Sequence, residues 1–75
     1  MKRYKNLGGD AGIRSYEIAT GAITVEFADG STYLYTDAST GAENIAQMQR
    51  LAKAGKGLTT FINRVVRERY AKKLR

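Results

Sequence analysis

Ala22-Ile23-Thr24-Val25-Glu26-Phe27-Ala28-Asp29-Gly30-Ser31-Thr32-Tyr33-Leu34-Tyr35 is the stretch that decides the fold. Ile23, Val25 and Phe27 alternate with Thr24 and Glu26, and a period of two marks a half-buried strand. Asp29-Gly30 follows, the strongest short-range hairpin signal. Tyr33-Leu34-Tyr35 then begins the returning strand. Two registers are open. A loop of Asp29-Gly30 alone puts Leu34 in the core and both tyrosines on the outer face. A loop of Ala28-Asp29-Gly30, with Gly30 left-handed in a bulge, sets Tyr33 opposite Val25 and Tyr35 opposite Ile23. A one-residue slip flips every side chain. The bulged register is favoured because it pairs aromatics with β-branched residues across the strands.

Upstream, residues 12–19 read as a strand in which Ile13, Ser15 and Glu17 point one way and Arg14, Tyr16 and Ile18 the other. A Thr20-Gly21 turn pairs Ala19 with Ala22, Ile18 with Ile23 and Tyr16 with Val25. Apolar residues then share one face, with Ser15, Glu17, Thr24 and Glu26 on the other. Residues 1–11 read as a flexible arm ending in Gly8-Gly9-Asp10.

Downstream, Thr40 and Glu43 have capping-box spacing. A helix over about 41–54 places Ile45, Met48, Leu51 and Ala52 on one stripe, and Gly55 stops it. A second helix over about 58–73 carries Leu58, Phe61, Ile62, Val65 and Val66. The expected fold is α+β: a three-stranded antiparallel β-meander (about 12–19, 22–28, 31–36) followed by two α-helices packed on one face. Residues 12–75 are expected to form a single domain.

With 43% hydrophobic residues the chain is too apolar to be disordered. It has neither histidine nor cysteine, which removes the commonest general base, the thiol nucleophile, disulfides and the usual transition-metal ligands. Serines 15, 31 and 39 lack a nucleophile-elbow pattern. Glu17 and Glu26 read as solvated carboxylates on an open face. These observations point to a binding module, not an enzyme, with no cofactor and no small-molecule substrate. The basic N-terminus is not followed by an apolar segment, and no run approaches membrane-spanning length, so a cytoplasmic protein without a membrane partner is expected.

Charge is uneven. Residues 50–75 hold nine cations against Glu68 alone, whereas residues 1–49 are mildly acidic. Such asymmetry suggests a polyanionic partner; ordinary solvation of a helix face is the bland alternative. On a helical wheel Arg64, Arg67 and Arg75 fall within about 80° of one another, away from the apolar sector. The candidate nucleic-acid-binding residues are therefore Lys53, Lys56, Arg64, Arg67, Arg69, Lys72 and Lys73. Tyr33 and Tyr35 join them as base-stacking aromatics if exposed. Gly55-Lys56-Gly57 departs from a P-loop and reads as an interhelix turn, although amides at the start of the second helix could hold a phosphate.

The ordered set Tyr16…Ile23-x-Val25-x-Phe27-x-x-Gly30-x-x-Tyr33-x-Tyr35, followed by Gly57…Phe61-Ile62-Asn63, Val66-Arg67 and Tyr70, resembles the KTSC domain. That short domain is named for the C-terminus of some lysyl-tRNA synthetases and also occurs as small stand-alone bacterial proteins. The resemblance covers about residues 12–70, with Tyr33-Leu34-Tyr35 as the family's central Tyr-x-Tyr. Where many members have Val-Pro after the third strand, this chain has Asp37-Ala38. The resemblance implies the α+β fold and a role in RNA binding. The other reading is a protein-interaction or self-associating module, motivated by a small core and by apolar residues spread over two sectors of the second helix.

Overall fold

The computed structural model describes residues 1–9 and 12–75. Asp10, expected in the Gly8-Gly9-Asp10 turn, and Ala11 lie outside the described residues. Strands β1 (Lys2–Arg3), β2 (Ile13–Ala19), β3 (Ala22–Phe27), β4 (Thr32–Thr36) and β5 (Lys72–Lys73) form one sheet in that spatial order, each pair antiparallel. Helices α1 (Asp37–Thr40), α2 (Ala42–Ala54) and α3 (Leu58–Phe61) follow β4, and a π-helical stretch Ile62–Val66 continues α3. The α+β class is as expected, but the sheet has five strands where three were anticipated.

The two central hairpins have the favoured registers. Ala19 pairs with Ala22, Ile18 with Ile23 and Tyr16 with Val25. Tyr33 lies opposite Val25 and Tyr35 opposite Ile23. The second hairpin closes through Phe27 N–H to Ser31 O at 2.8 Å, leaving Ala28-Asp29-Gly30 as the loop. Gly30 has φ 92° there, a value that glycine adopts without Cβ strain. One feature of β2 escapes simple alternation: a bulge between Ile13 and Ser15. The extra residue puts Ile13 on the core side with Tyr16, and leaves Ser15 opposite Glu26.

The additional strands are both edges, and both are short and cationic. Lys2 pairs with Tyr16 and Arg3 with Ser15. Lys72 pairs with Leu34 and Lys73 with Tyr33. Short lysine-bearing edges discourage pairing with another sheet. The expected flexible arm is thus corrected over its first residues. Tyr4 is 3% exposed, its N–H donates to Arg14 O at 2.9 Å, and its hydroxyl accepts from Leu58 N–H at 3.2 Å.

Helix α1 begins at a capping box made by Thr36 and Ser39, not by Thr40 and Glu43. Thr40 is instead buried, and its hydroxyl donates to Arg69 O at 2.6 Å. Helix α2 ends at Gly55, with φ 80°, whose N–H donates to Leu51 and Ala52 carbonyls. A Cβ at Gly55 would lie 2.7 Å from the Lys5 Cβ, so close approach of the N-terminal segment also requires glycine here.

Tyr16, Ile23, Val25 and Tyr35 from the sheet pack with Ile45, Met48 and Ala52 of α2 and with Leu58, Ile62 and Val66. Each fully buried aliphatic side chain stabilises by about 1.5–3 kcal/mol. Among the described residues, no helix is long and apolar enough to cross a membrane.

The second expected helix, 58–73, is the largest correction. It ends at Val66, where the apolar stripe ends. Val66 is fully buried while its neighbour Val65 is 43% exposed. Arg67 follows with φ 45° and ψ −114°. Arg69 N–H donates to Val66 O at 2.9 Å, closing a four-residue turn. Past this turn the chain extends and docks on β4, through Ala71 N–H to Leu34 O and Leu74 N–H to Thr32 O, both 2.7 Å.

Candidate nucleic-acid interface

Because the chain reverses at Arg67, its C-terminal segment returns along the β4 edge of the sheet. An open cleft of about 590 Å³ lies between the segment around Ile62–Tyr70 and the β3–β4 hairpin. Three aromatics build one wall. Tyr33 projects from β4 on the helix-bearing face, with its ring centroid 5.6 Å from Phe27 in an edge-to-face contact. Tyr70 packs against Tyr33 at 4.6 Å, the rings tilted by 55°. It meets Tyr35 edge-on at 6.3 Å. Contacts of this geometry add about 0.5–1.5 kcal/mol each beyond burial. Tyr33 and Tyr70 are only half-buried, so each ring keeps surface toward the cleft.

Tyr35 differs. It is 2% exposed and forms floor, not stacking surface. Burial pushes its hydroxyl up to about 12, with Tyr33 and Tyr70 adding to the effect, so it remains protonated at neutral pH. Asp29 sits at the cleft's hairpin end. Its carboxylate accepts from Ser31 N–H at 2.9 Å, and that bond holds its pKa below the usual carboxylate range.

Two cations frame the aromatics. Lys73 Nζ lies 5.8 Å from the centre of the Tyr33 ring, within cation–π range. Arg67 lines the cleft beside Asn63 and Glu68. The Arg67 dihedrals match the first central position of a type II′ turn, a place normally held by glycine. A non-glycine residue in such a conformation costs about 1–3 kcal/mol and persists only where its surroundings hold it; such residues cluster at functional sites.

The structure does not bring the nine candidate residues to one place. Tyr33, Tyr35 and Arg67 line the cleft, and Lys73 covers Tyr33. Lys72 alternates to the opposite sheet face with Leu34. Arg64 and Arg69 are exposed but do not line the cleft. Lys53 lines a separate cleft with Lys2 and Glu17, and Lys56 lies beside Gly8. The helical stripe of Arg64, Arg67 and Arg75 does not form, because the helix ends before Arg67. Nor does Leu58's amide await a phosphate, since Tyr4 accepts its hydrogen bond.

Four residues were missed: Phe27, Asn63, Glu68 and Tyr70. Tyr70 carried a signal as the one tyrosine among residues 50–75, and Phe27 and Asn63 only as members of an ordered motif. Among the described residues the one ion pair joins Arg14 and Glu26 at 3.6 Å. Glu26 also accepts from the Ser15 hydroxyl at 2.6 Å, which ties it into the sheet. None of the cations of residues 50–75 makes an ion pair within 4.0 Å with a described carboxylate. Comparison with known proteins found no matching family model, curated protein or solved structure.

Proposed function

We propose that this protein is a small binding module for single-stranded nucleic acid, RNA in the first instance, and not an enzyme. The observation that carries the reading is the half-open Tyr33–Tyr70 surface framed by Arg67 and Lys73. Single-strand binders combine aromatic platforms, on which bases stack, with cations that follow the phosphates. The unpaired cations of residues 50–75 add a long-range field that attracts a polyanion. The likeness of the Tyr33-Leu34-Tyr35 pattern to the KTSC domain supports RNA over DNA. Charged, two-residue sheet edges discourage strand-to-strand association; the alternative, a protein-interaction or self-associating module, rests instead on the apolar residues of the second helical segment.

Fluorescence anisotropy with labelled single-stranded RNA, single-stranded DNA and duplex DNA tests this. Micromolar binding to single strands is expected at low salt. The logarithm of affinity should fall with the logarithm of salt by about 0.7 per phosphate contact. Lys73→Glu should weaken binding several-fold more than Lys53→Glu, which alters the separate cleft. Absence of binding to all three nucleic acids at low salt would sink the reading and leave a protein-interaction module.

A further inference from the structure

Resting on that reading, we propose that the aromatic cleft is a pocket for one unpaired guanine base. Tyr33 and Tyr70 provide its stacking surface, Glu68 reads its Watson–Crick edge, and Arg67 with Lys73 holds the adjoining phosphate.

Phosphate binding alone explains the cations but not the rest of the cleft. The first unexplained feature is its acid. Glu68 is the sole carboxylate among residues 50–75. It lines the cleft, yet makes no ion pair within 4.0 Å with any described residue, although Arg67 and Arg69 flank it in sequence. A free carboxylate repels phosphate, so its place beside the aromatics suits a ligand with N–H donors. Asp29 does not share this role, because its carboxylate is engaged by Ser31 within the hairpin loop. Guanine is the one common base that presents two adjacent donors, N1–H and the N2 amino group, which a single carboxylate accepts together. Asn63, also lining the cleft, offers a carboxamide N–H to the neighbouring O6.

The second feature is the strained turn. Arginine occupies a glycine position at Arg67. The reversal it creates ends the helix and brings Arg67 and Glu68 to the cleft together, and it carries Tyr70 back onto Tyr33. Thr40 secures the far side of the turn by donating to Arg69 O. One local conformation therefore assembles the anion contact, the base-reading acid and the stacking ring.

The test uses the full chain and short uridine-tract RNAs carrying one central guanosine, adenosine or abasic residue, by anisotropy at one fixed low salt concentration. The guanosine RNA should bind about tenfold tighter than the abasic one, the scale of one stacked base, and measurably tighter than the adenosine RNA. Glu68→Gln should level guanosine with adenosine while both remain above the abasic RNA. Tyr70→Ala should bring all three to the abasic level. Equal affinity for guanosine and abasic RNA overturns the pocket yet leaves phosphate binding intact, whereas no binding to any of them removes both readings. Equal affinity for guanosine and adenosine overturns the guanine assignment. The ligand series is read on the unaltered chain, so a variant that fails to fold does not spoil the test.

Discussion

The β3–β4 hairpin and the C-terminal segment are both short, both aromatic and both rich in β-branched residues, yet they obey different rules. In the hairpin, alternation, turn chemistry and cross-strand pairing all favour one register, and the chain adopts it. In the segment from Leu58 to Arg75, the local signals favour one long helix, and the chain breaks it at Arg67 to lay β5 on β4. Where local preferences agree with the fold, structure follows from pattern; where they conflict, function is a common reason.

The sharpest way to break that comparison is to attack the hairpin's core. Ile23 is fully buried at the centre of the sheet. Ile23→Ala should cost about 2–5 kcal/mol, against under about 0.5 kcal/mol for the exposed Val65→Ala. Urea denaturation of both variants measures this. A loss below about 1 kcal/mol at Ile23 would mean that the hairpin is not the organising unit.

A smaller effect is expected from removing residues 71–75. The deletion takes away the backbone bonds to Leu34 and Thr32 and the Lys73 contact with Tyr33. Exposed edge bonds contribute modestly, so a loss of about 1–2 kcal/mol is expected, seen as a fall of roughly 5–15 °C in Tm. The sheet signal in far-ultraviolet circular dichroism should persist, while the tyrosine signal in the near ultraviolet weakens as Tyr70 loosens. Collapse of the whole fold would show that β5 is as essential as the central hairpins.

The smallest effect has the opposite sign. Arg67→Gly should raise stability by about 1 kcal/mol, because glycine accepts the positive φ without strain. It should at the same time weaken RNA binding by removing the guanidinium. A protein that is stabilised but binds less well shows the trade expected of a strained functional residue. A destabilised variant would instead assign the Arg67 side chain a packing role.

Much of the fold was legible in the residues themselves. Ile23, Val25 and Phe27, the Asp29-Gly30 turn, and the aromatic pairing of Tyr33 and Tyr35 led to the observed registers. The apolar stripe of α2 and its glycine stop were equally plain. The bulge at Arg14 was not, because Ile13 and Ser15 look like ordinary alternation until Phe27 and Glu26 are placed opposite them. The candidate site was legible only in part. Arg67 and Lys73 were named, but as part of a basic helix that does not extend to them, and Tyr33 was named as a strand aromatic that stacks if exposed. Glu68 carried no signal, being an acid in a basic run, while Phe27 and Asn63 stood out only as members of an ordered motif and not as site residues.

Periodicity and turn chemistry act between neighbours a few residues apart, so the two hairpins, helix α2 and the concentration of charge were written into the chain. The edge strands, the end of the second helix and the meeting of Tyr70 with Tyr33 depend on partners a dozen or more residues away. Segment 67–75 gains more by pairing with the open edge of β4 than by continuing a helix with no apolar face left to bury, and that comparison arises only once the sheet exists.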